Sequence, residues 1–368
     1  MKKIIILLFG LVAVSVVVAL TYFGFEYIVS HSITFIWDDV FDTDTARLMV
    51  IPLCVGIGLL FYGLQHWLDR GSENHEEHSM GGAVIKPTLR NFIVILLVGF
   101  FSLIAGASLG PEAILVPAAT VISMYIGVSL FKRDGAAVKA LTAAGIMALM
   151  TAFFHSIPIG ILSVLLVANQ AKTKVTPQLL FVAVIASISS FLTLQVIDPA
   201  HRYFNFPPFS WETAFIDVST AIPLVAAGYL ATFMLKYSHM AFVKFRAKVG
   251  LKKWWELGLV AGLGLSALYL IGGPLVQFTG NESIAPLISQ AASLGVVGLL
   301  GILVVKILVI GWSKAMGYRG GLIFPMIFIA STLVAIVQVI FPEVHFGVGL
   351  VAAMIGVLAA EKKAKVLL

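Results

Sequence analysis

Charge is what this sequence has least of. Of 368 residues only 11% are Asp, Glu, Lys or Arg, whereas 60% are hydrophobic and the mean hydropathy is +1.03. A soluble domain carries roughly 25% charged and about 45–50% apolar residues. The excess excludes a water-soluble protein and indicates an all-α polytopic membrane protein. Cysteine is nearly absent too: Cys54, inside an apolar run, is the single one, which excludes an internal disulfide framework. No nucleophile or cofactor motif occurs, so no cofactor is implied. The net charge of +6 sits in clusters beside apolar runs, which does not suit a nucleic-acid partner.

What the chain has in abundance is greasy segments. A bilayer is crossed by about 20 helical residues. Runs of that order predict helices near 4–25, 46–68, 90–109, 177–195, 213–235, 255–273, 294–312 and 321–341, with shorter apolar pieces near 112–131, 138–152, 157–168 and 346–360. Helices that stop partway across a membrane leave bare N–H or C=O ends, tolerated only where they are buried in protein or line a cavity. The opening MKKIIILLFGLVAVSVVVAL has the lysines and apolar core of a signal peptide. It continues uncharged through Phe25 without a cleavage site, so a retained first helix is expected. Lys236, Lys244, Arg246, Lys248, Lys252 and Lys253 crowd one stretch. The positive-inside tendency places it and the N-terminus in the cytoplasm. The loop holding Asp38, Asp39, Asp42 and Asp44 then faces outward as a solvated loop.

The basic stretch divides the chain into an N-terminal membrane half, 1–235, a basic cytoplasmic link, 236–253, and a C-terminal membrane half, 254–368. In the first half, GASLGPEAIL (106–115) is followed by AAGIMALMTAFFHSIP. In the second, MGYRGGLIFP is followed by VGLVAAMIGVLAAEKKA. Corresponding Gly/Pro breaks in two halves point to an inverted repeat with its site where broken helices meet. The rival explanation is that membrane helices use Gly and Pro freely for packing and kinks. The second half stops soon after its echo, at AAEKKAKVLL, read either as a naturally short end or as lost helices.

The breaks suit an anion. Gly110 permits a close backbone approach, Pro111 suits the first helical position, and a helix starting there aims free N–H groups inward. At the second break Gly320 and Gly321 release the backbone, so that the N–H groups of Leu322, Ile323 and Phe324 face a ligand. Two positive helix ends would hold a small anion without a fixed cation, weakly enough to release it. Glu112 is an ionisable group within this apolar sequence, a functional candidate by default. Its carboxylate can take the anion's place and leave on protonation or displacement. The alternative is an acid that only complements the helix dipole.

These residues resemble the CLC family of chloride channels and proton/chloride exchangers. GASLGPEA is similar to its GREGP motif in the GxSLGPEA form, GGLIFP to GGIFAP, AAGIMALMTAFFHSIPIGIL to AAGLAAAFNAPLAGIL, and FTGNESIAPLI to the opening of the second half's core. The likeness covers about residues 46–360. It implies a CLC-like inverted repeat with broken, tilted helices, chloride or a similar small anion as the transported species, and a homodimer in the bilayer. It implies that Glu112 is the external gating glutamate, that the amides of Glu112 and Ala113 line an outer anion site, and that those of Leu322 and Ile323 line a central one. Departures from the family pattern are informative. Pro111 removes one donor, Ala113 and Ile114 replace a glycine and a proline, and the GSGIP serine has no match; Ser79 is not in such a motif. The inner tyrosine would lie beyond residue 368. The exchangers' inner proton-transfer glutamate falls near Leu166 or Val167, both apolar, which favours a channel over an exchanger.

Other polar residues have plainer readings. HEEH, with His75 and His78 near His66, lacks the spacing that puts two histidines on one helix face, so no metal site is expected. His155 is either a proton sensor or a packing histidine. Lys306 either adds positive potential near the path or reaches the interface. Glu26 reads as interfacial, and Glu282 as a loop residue before a helix. Besides the exchanger, the rivals are a membrane-embedded enzyme using Glu112 and His155, and a non-conducting relative.

Overall fold

The computed structural model describes residues 2–42, 46–68, 86–132, 134–170, 172–199 and 214–364. The helices are α1 (Lys2–Ile33), α2 (Val50–Leu68), α3 (Leu89–Ile104), α4 (Glu112–Phe131), α5 (Gly135–Phe154), α6 (Ile157–Leu162), α7 (Val164–Gln170), α8 (Pro177–Ile197), α9 (Ala214–Val249), α10 (Trp254–Gly272), α11 (Ile284–Met316), α12 (Ile323–Ile340) and α13 (Phe346–Ala364). Among the described residues, nine segments are long and apolar enough to cross a membrane. The one β interaction among them is an isolated bridge.

Two compact units interleave along the chain. One comprises Met1–His31, Glu73–Leu97 and Ala113–Phe204; the other comprises Ser32–Ser72, Val98–Glu112 and Asn205–Leu368. The units thus alternate along the sequence, and the basic stretch 236–253 lies within the second. That stretch is itself mostly helix, because α9 runs unbroken from Ala214 to Val249. Lysine, arginine and alanine all favour helix, so charge marks where the apolar run ends without ending the helix.

In the first unit α5 packs on α6 and α8. Asp134 caps α5 by accepting the N–H groups of Ala136 and Ala137, and Lys3 Nζ lies 2.8 Å from its carboxylate. The Lys3 hydrogen bond and the capping amides hold the Asp134 carboxyl below its ordinary range. Asp134→Ala should lower the thermal midpoint slightly, and Asp134→Asn, which keeps a capping oxygen, should lower it less. Since a carboxyl with a depressed pKa stabilises only while ionised, the gap between wild type and Asp134→Ala should close as acid protonates it. Thermal melts at neutral and acid pH check both.

Helix α5 ends at His155, which adopts the left-handed conformation (φ 46°, ψ 41°), and Ser156 then caps α6. The His155 ring packs edge-on against Phe191 and its Nε2 lies 2.9 Å from Gln195 Nε2. That is the arrangement of a packing histidine. The apolar piece near 157–168 is two short helices, α6 and α7, divided at Ser163. Leu166 and Val167 lie in α7, Leu166 exposed.

The second unit places α2 against α10, α11 against α9, α10 and α12, and α13 against α9 and α12. Helices α9 and α13 approach through small residues. A Cβ at Gly228 would lie 2.1 Å from the Ala353 carbonyl oxygen, and one at Gly356 would lie 2.0 Å from that of Val225. Close backbone contact of this kind replaces the hydrophobic drive that helices lack in lipid. Helix α11 contains a non-helical residue, Gly295 (φ 62°), so the apolar run expected from 294 forms the part beyond that kink. Glu282 lies in the turn before α11, as expected.

Candidate functional site

The two Gly-rich breaks meet inside the second unit. Gly110 and Gly321 form an antiparallel bridge, with the Gly110 N–H donating to the Gly321 carbonyl at 2.8 Å and the Gly321 N–H returning to the Gly110 carbonyl at 2.6 Å. Neither glycine amide is therefore open to a ligand in this conformation; the pair forms a frame. Gly320 completes it, since a Cβ there would lie 2.4 Å from Leu109 Cβ.

Glu112, the first residue of α4, folds back over this frame. Its Oε1 accepts the Ile323 N–H at 2.6 Å, and the Phe324 amide also acts on the carboxylate. Leu322, at the N-cap of α12, makes no side-chain cap. The cap of α12 thus arrives from a residue 211 positions away. Glu112 is 2% exposed, and its Oε2 has no hydrogen-bond partner among the described residues. Both glycines are needed for it to lie there: a Cβ at Gly110 would fall 2.0 Å from Oε2, and one at Gly321 would fall 2.2 Å from the carboxyl carbon. Lys314, in the last turn of α11, attracts Glu112 and also Glu361. Chemically, this is a helix N-terminus capped by a buried carboxyl group that arrives from another segment of the chain. A charge-assisted hydrogen bond of this kind contributes about 1.5–3 kcal/mol, with helix-dipole attraction adding to it.

Residues that the sequence did not single out fix the frame. Ser102 Oγ donates to the Arg319 carbonyl at 2.8 Å and accepts its N–H at 2.7 Å. Ser313 Oγ accepts the Ser108 N–H at 3.2 Å, and Thr279 Oγ1 donates to the Leu109 carbonyl at 3.1 Å. Trp37 Nε1 donates to the Ile104 carbonyl at 3.0 Å. The buried Tyr269 hydroxyl donates to the Gly106 carbonyl and accepts the Phe278 N–H at 2.8 Å. Apart from the Ile104 carbonyl, at the end of α3, each of these partners is backbone of a segment that has left its helix, where N–H and C=O groups need partners. Their sequence signal is weak, because single Ser, Thr, Tyr or Trp residues in apolar runs are common. Tyr269→Phe should leave two buried backbone groups unpaired and lower stability by about 2–4 kcal/mol, read as a lower thermal midpoint in detergent.

The remaining candidates fall elsewhere. Ala113 is the second residue of α4 and belongs to the first unit. Lys306 does not reach an interface: it is fully buried, with its Nζ on three backbone carbonyls. His75, His78 and Ser79 lie outside the described residues, while His66 lies in the last turn of α2.

Known proteins resemble this architecture. A family model described as voltage gated chloride channel matches residues 57–367. A protein of Escherichia coli O127:H6 (strain E2348/69 / EPEC) named "Putative ion-transport protein YfeO" is 27% identical over 284 residues, covering 75% of this chain and 64% of that relative. The chain thus spans just under two thirds of that relative's length. Among solved structures, a slow cyanobacterial Cl-/H+ antiporter superposes with a TM-score of 0.74 at 17% identity, over 96% of this chain and 85% of that one. A CLC-type fluoride/proton antiporter gives 0.63 at 17% identity, over 99% of this chain and 88% of that one.

Proposed function

Because the chain belongs to the voltage gated chloride channel family, we propose that it passes chloride or a similar small anion through a backbone-lined path gated by Glu112. The observation that carries this reading is the buried carboxylate on the Ile323 amide. A carboxylate oxygen and a halide ask the same of a helix N-terminus, namely N–H donors and positive potential. One therefore excludes the other, and departure of the side chain leaves an anion site lined by the amides of Leu322, Ile323 and Phe324, with Glu112 and Ala113 beside the outer approach. The Gly110–Gly321 bridge holds the two breaks at that spacing. In this reading the protein is not an enzyme, works as a homodimer with one path per subunit, and sits in a bacterial inner membrane with its N-terminus in the cytoplasm.

Uncoupled, channel-like flux is the first form of the proposal, since Leu166 and Val167 cannot carry a proton. Coupled exchange is the second, favoured by the two structural neighbours, both described as proton antiporters. Chloride efflux from proteoliposomes, recorded together with pH in a weakly buffered medium, separates them. Chloride flux that drives no proton uphill supports the channel form. A fixed chloride-to-proton ratio supports exchange, and absence of protein-dependent flux of any small anion contradicts both.

A further inference from the structure

Lys306 lies within α11 and is 0% exposed. Its Nζ donates to the carbonyl oxygens of Val276 at 3.1 Å, Gln277 at 3.3 Å and Phe278 at 2.7 Å. Three acceptors match the three N–H bonds of an ammonium, where a neutral amine has two. The Phe328 ring lies 4.8 Å from the same nitrogen, a cation–π distance. No carboxylate partners Lys306 among the described residues. A buried charge without an acid is costly; the three carbonyls and the ring offset that cost, and none of them carries a formal negative charge that would cancel an ammonium's.

The turn that Lys306 holds also reaches the gate. Phe278 donates its N–H to Tyr269, whose hydroxyl holds the Gly106 carbonyl, and Thr279 holds that of Leu109, next to Gly110. Phe328 stands one helical turn beyond Phe324 in α12. The ammonium is thus connected to the first break by hydrogen bonds and lies against the helix whose N-terminus Glu112 caps.

We propose that Lys306 sets the anion affinity of this path, its unopposed charge acting on the site at the α12 N-terminus while its three hydrogen bonds position the 276–279 turn against the first break. This rests on the anion-path reading above and assigns that path a fixed cation in addition to its backbone amides.

The test compares Lys306→Arg with Lys306→Gln in the full chain. Glutamine keeps two donors without charge, and arginine keeps charge with altered donors. In proteoliposomes, the half-saturating chloride concentration should rise about tenfold or more in Lys306→Gln and stay within about threefold of wild type in Lys306→Arg. A folded Lys306→Gln that saturates like wild type overturns the proposal. Should Lys306→Gln fail to give a monodisperse protein, Lys306→Arg decides: half-saturation near wild type supports the charge role, and a tenfold rise overturns it. Glu112→Gln, measured alongside, separates the two readings, because its flux can change while the Lys306 variants leave half-saturation untouched.

Discussion

Replacing Glu112 with alanine should raise chloride flux through the reconstituted protein by about ten- to a hundredfold. The carboxylate is bound to the Ile323 amide at 2.6 Å in a site closed to water. An anion entering must displace an interaction worth about 1.5–3 kcal/mol, and each 1.4 kcal/mol is about a factor of ten in occupancy. Alanine removes the competitor outright. Glutamine keeps the bulk without the charge, so Glu112→Gln should also conduct faster than wild type, by a smaller factor. If the acid only complements the dipole, Glu112→Ala would lower stability and leave flux unchanged. Efflux assays paired with thermal melts distinguish the outcomes.

Gly321→Ala should have a comparable effect without touching the acid. A methyl group there would lie 2.2 Å from the Glu112 carboxyl carbon and from Oε1, closer than any real contact. The side chain is the more easily displaced partner, because Gly321 is tied to Gly110 by two backbone hydrogen bonds. Expulsion of the carboxylate should raise flux about tenfold or more, by the same competition. Glu112→Ala added to Gly321→Ala should then change little, since both act on one interaction and coupled sites are non-additive. Additive effects on flux would mean that Gly321 acts on the path by another route.

Much of this architecture was readable in advance for a physical reason. Hydropathy reports the solvent directly, so most long helices fall on apolar runs. GASLGPEAIL and RGGLIFP mark real interruptions because glycine and proline act on their own backbone. Glu112 was visible because an acid in such surroundings is expensive. Pairing was not visible: nothing local to Gly110 specifies Gly321, yet each amide donates to the other's carbonyl. The continuity of α9 is not legible in hydropathy, because basic residues end the apolar run while still favouring helix. For Lys306 the sequence admits two readings, a charge near the path or one near the interface, and neither anticipates three carbonyls turned inward from residues 276–278. Ser102, Thr279 and Ser313 escaped notice for a similar reason. Their partners are distant backbone groups, and a hydroxyl in an apolar run looks the same whether it bonds its own helix or another segment.

Competition between the Glu112 carboxylate and an anion for the α12 amides is the central claim, and bromide crystallography tests it most directly. Crystals of the wild type and of Glu112→Gln, soaked in bromide at neutral pH, would be compared by anomalous scattering. A bromide peak is expected within hydrogen-bonding distance of the Ile323 nitrogen in Glu112→Gln, and a weak peak or none in the wild type. Equal occupancy at that nitrogen in both proteins, or bromide bound elsewhere with the Ile323 amide vacant in the variant, would contradict it.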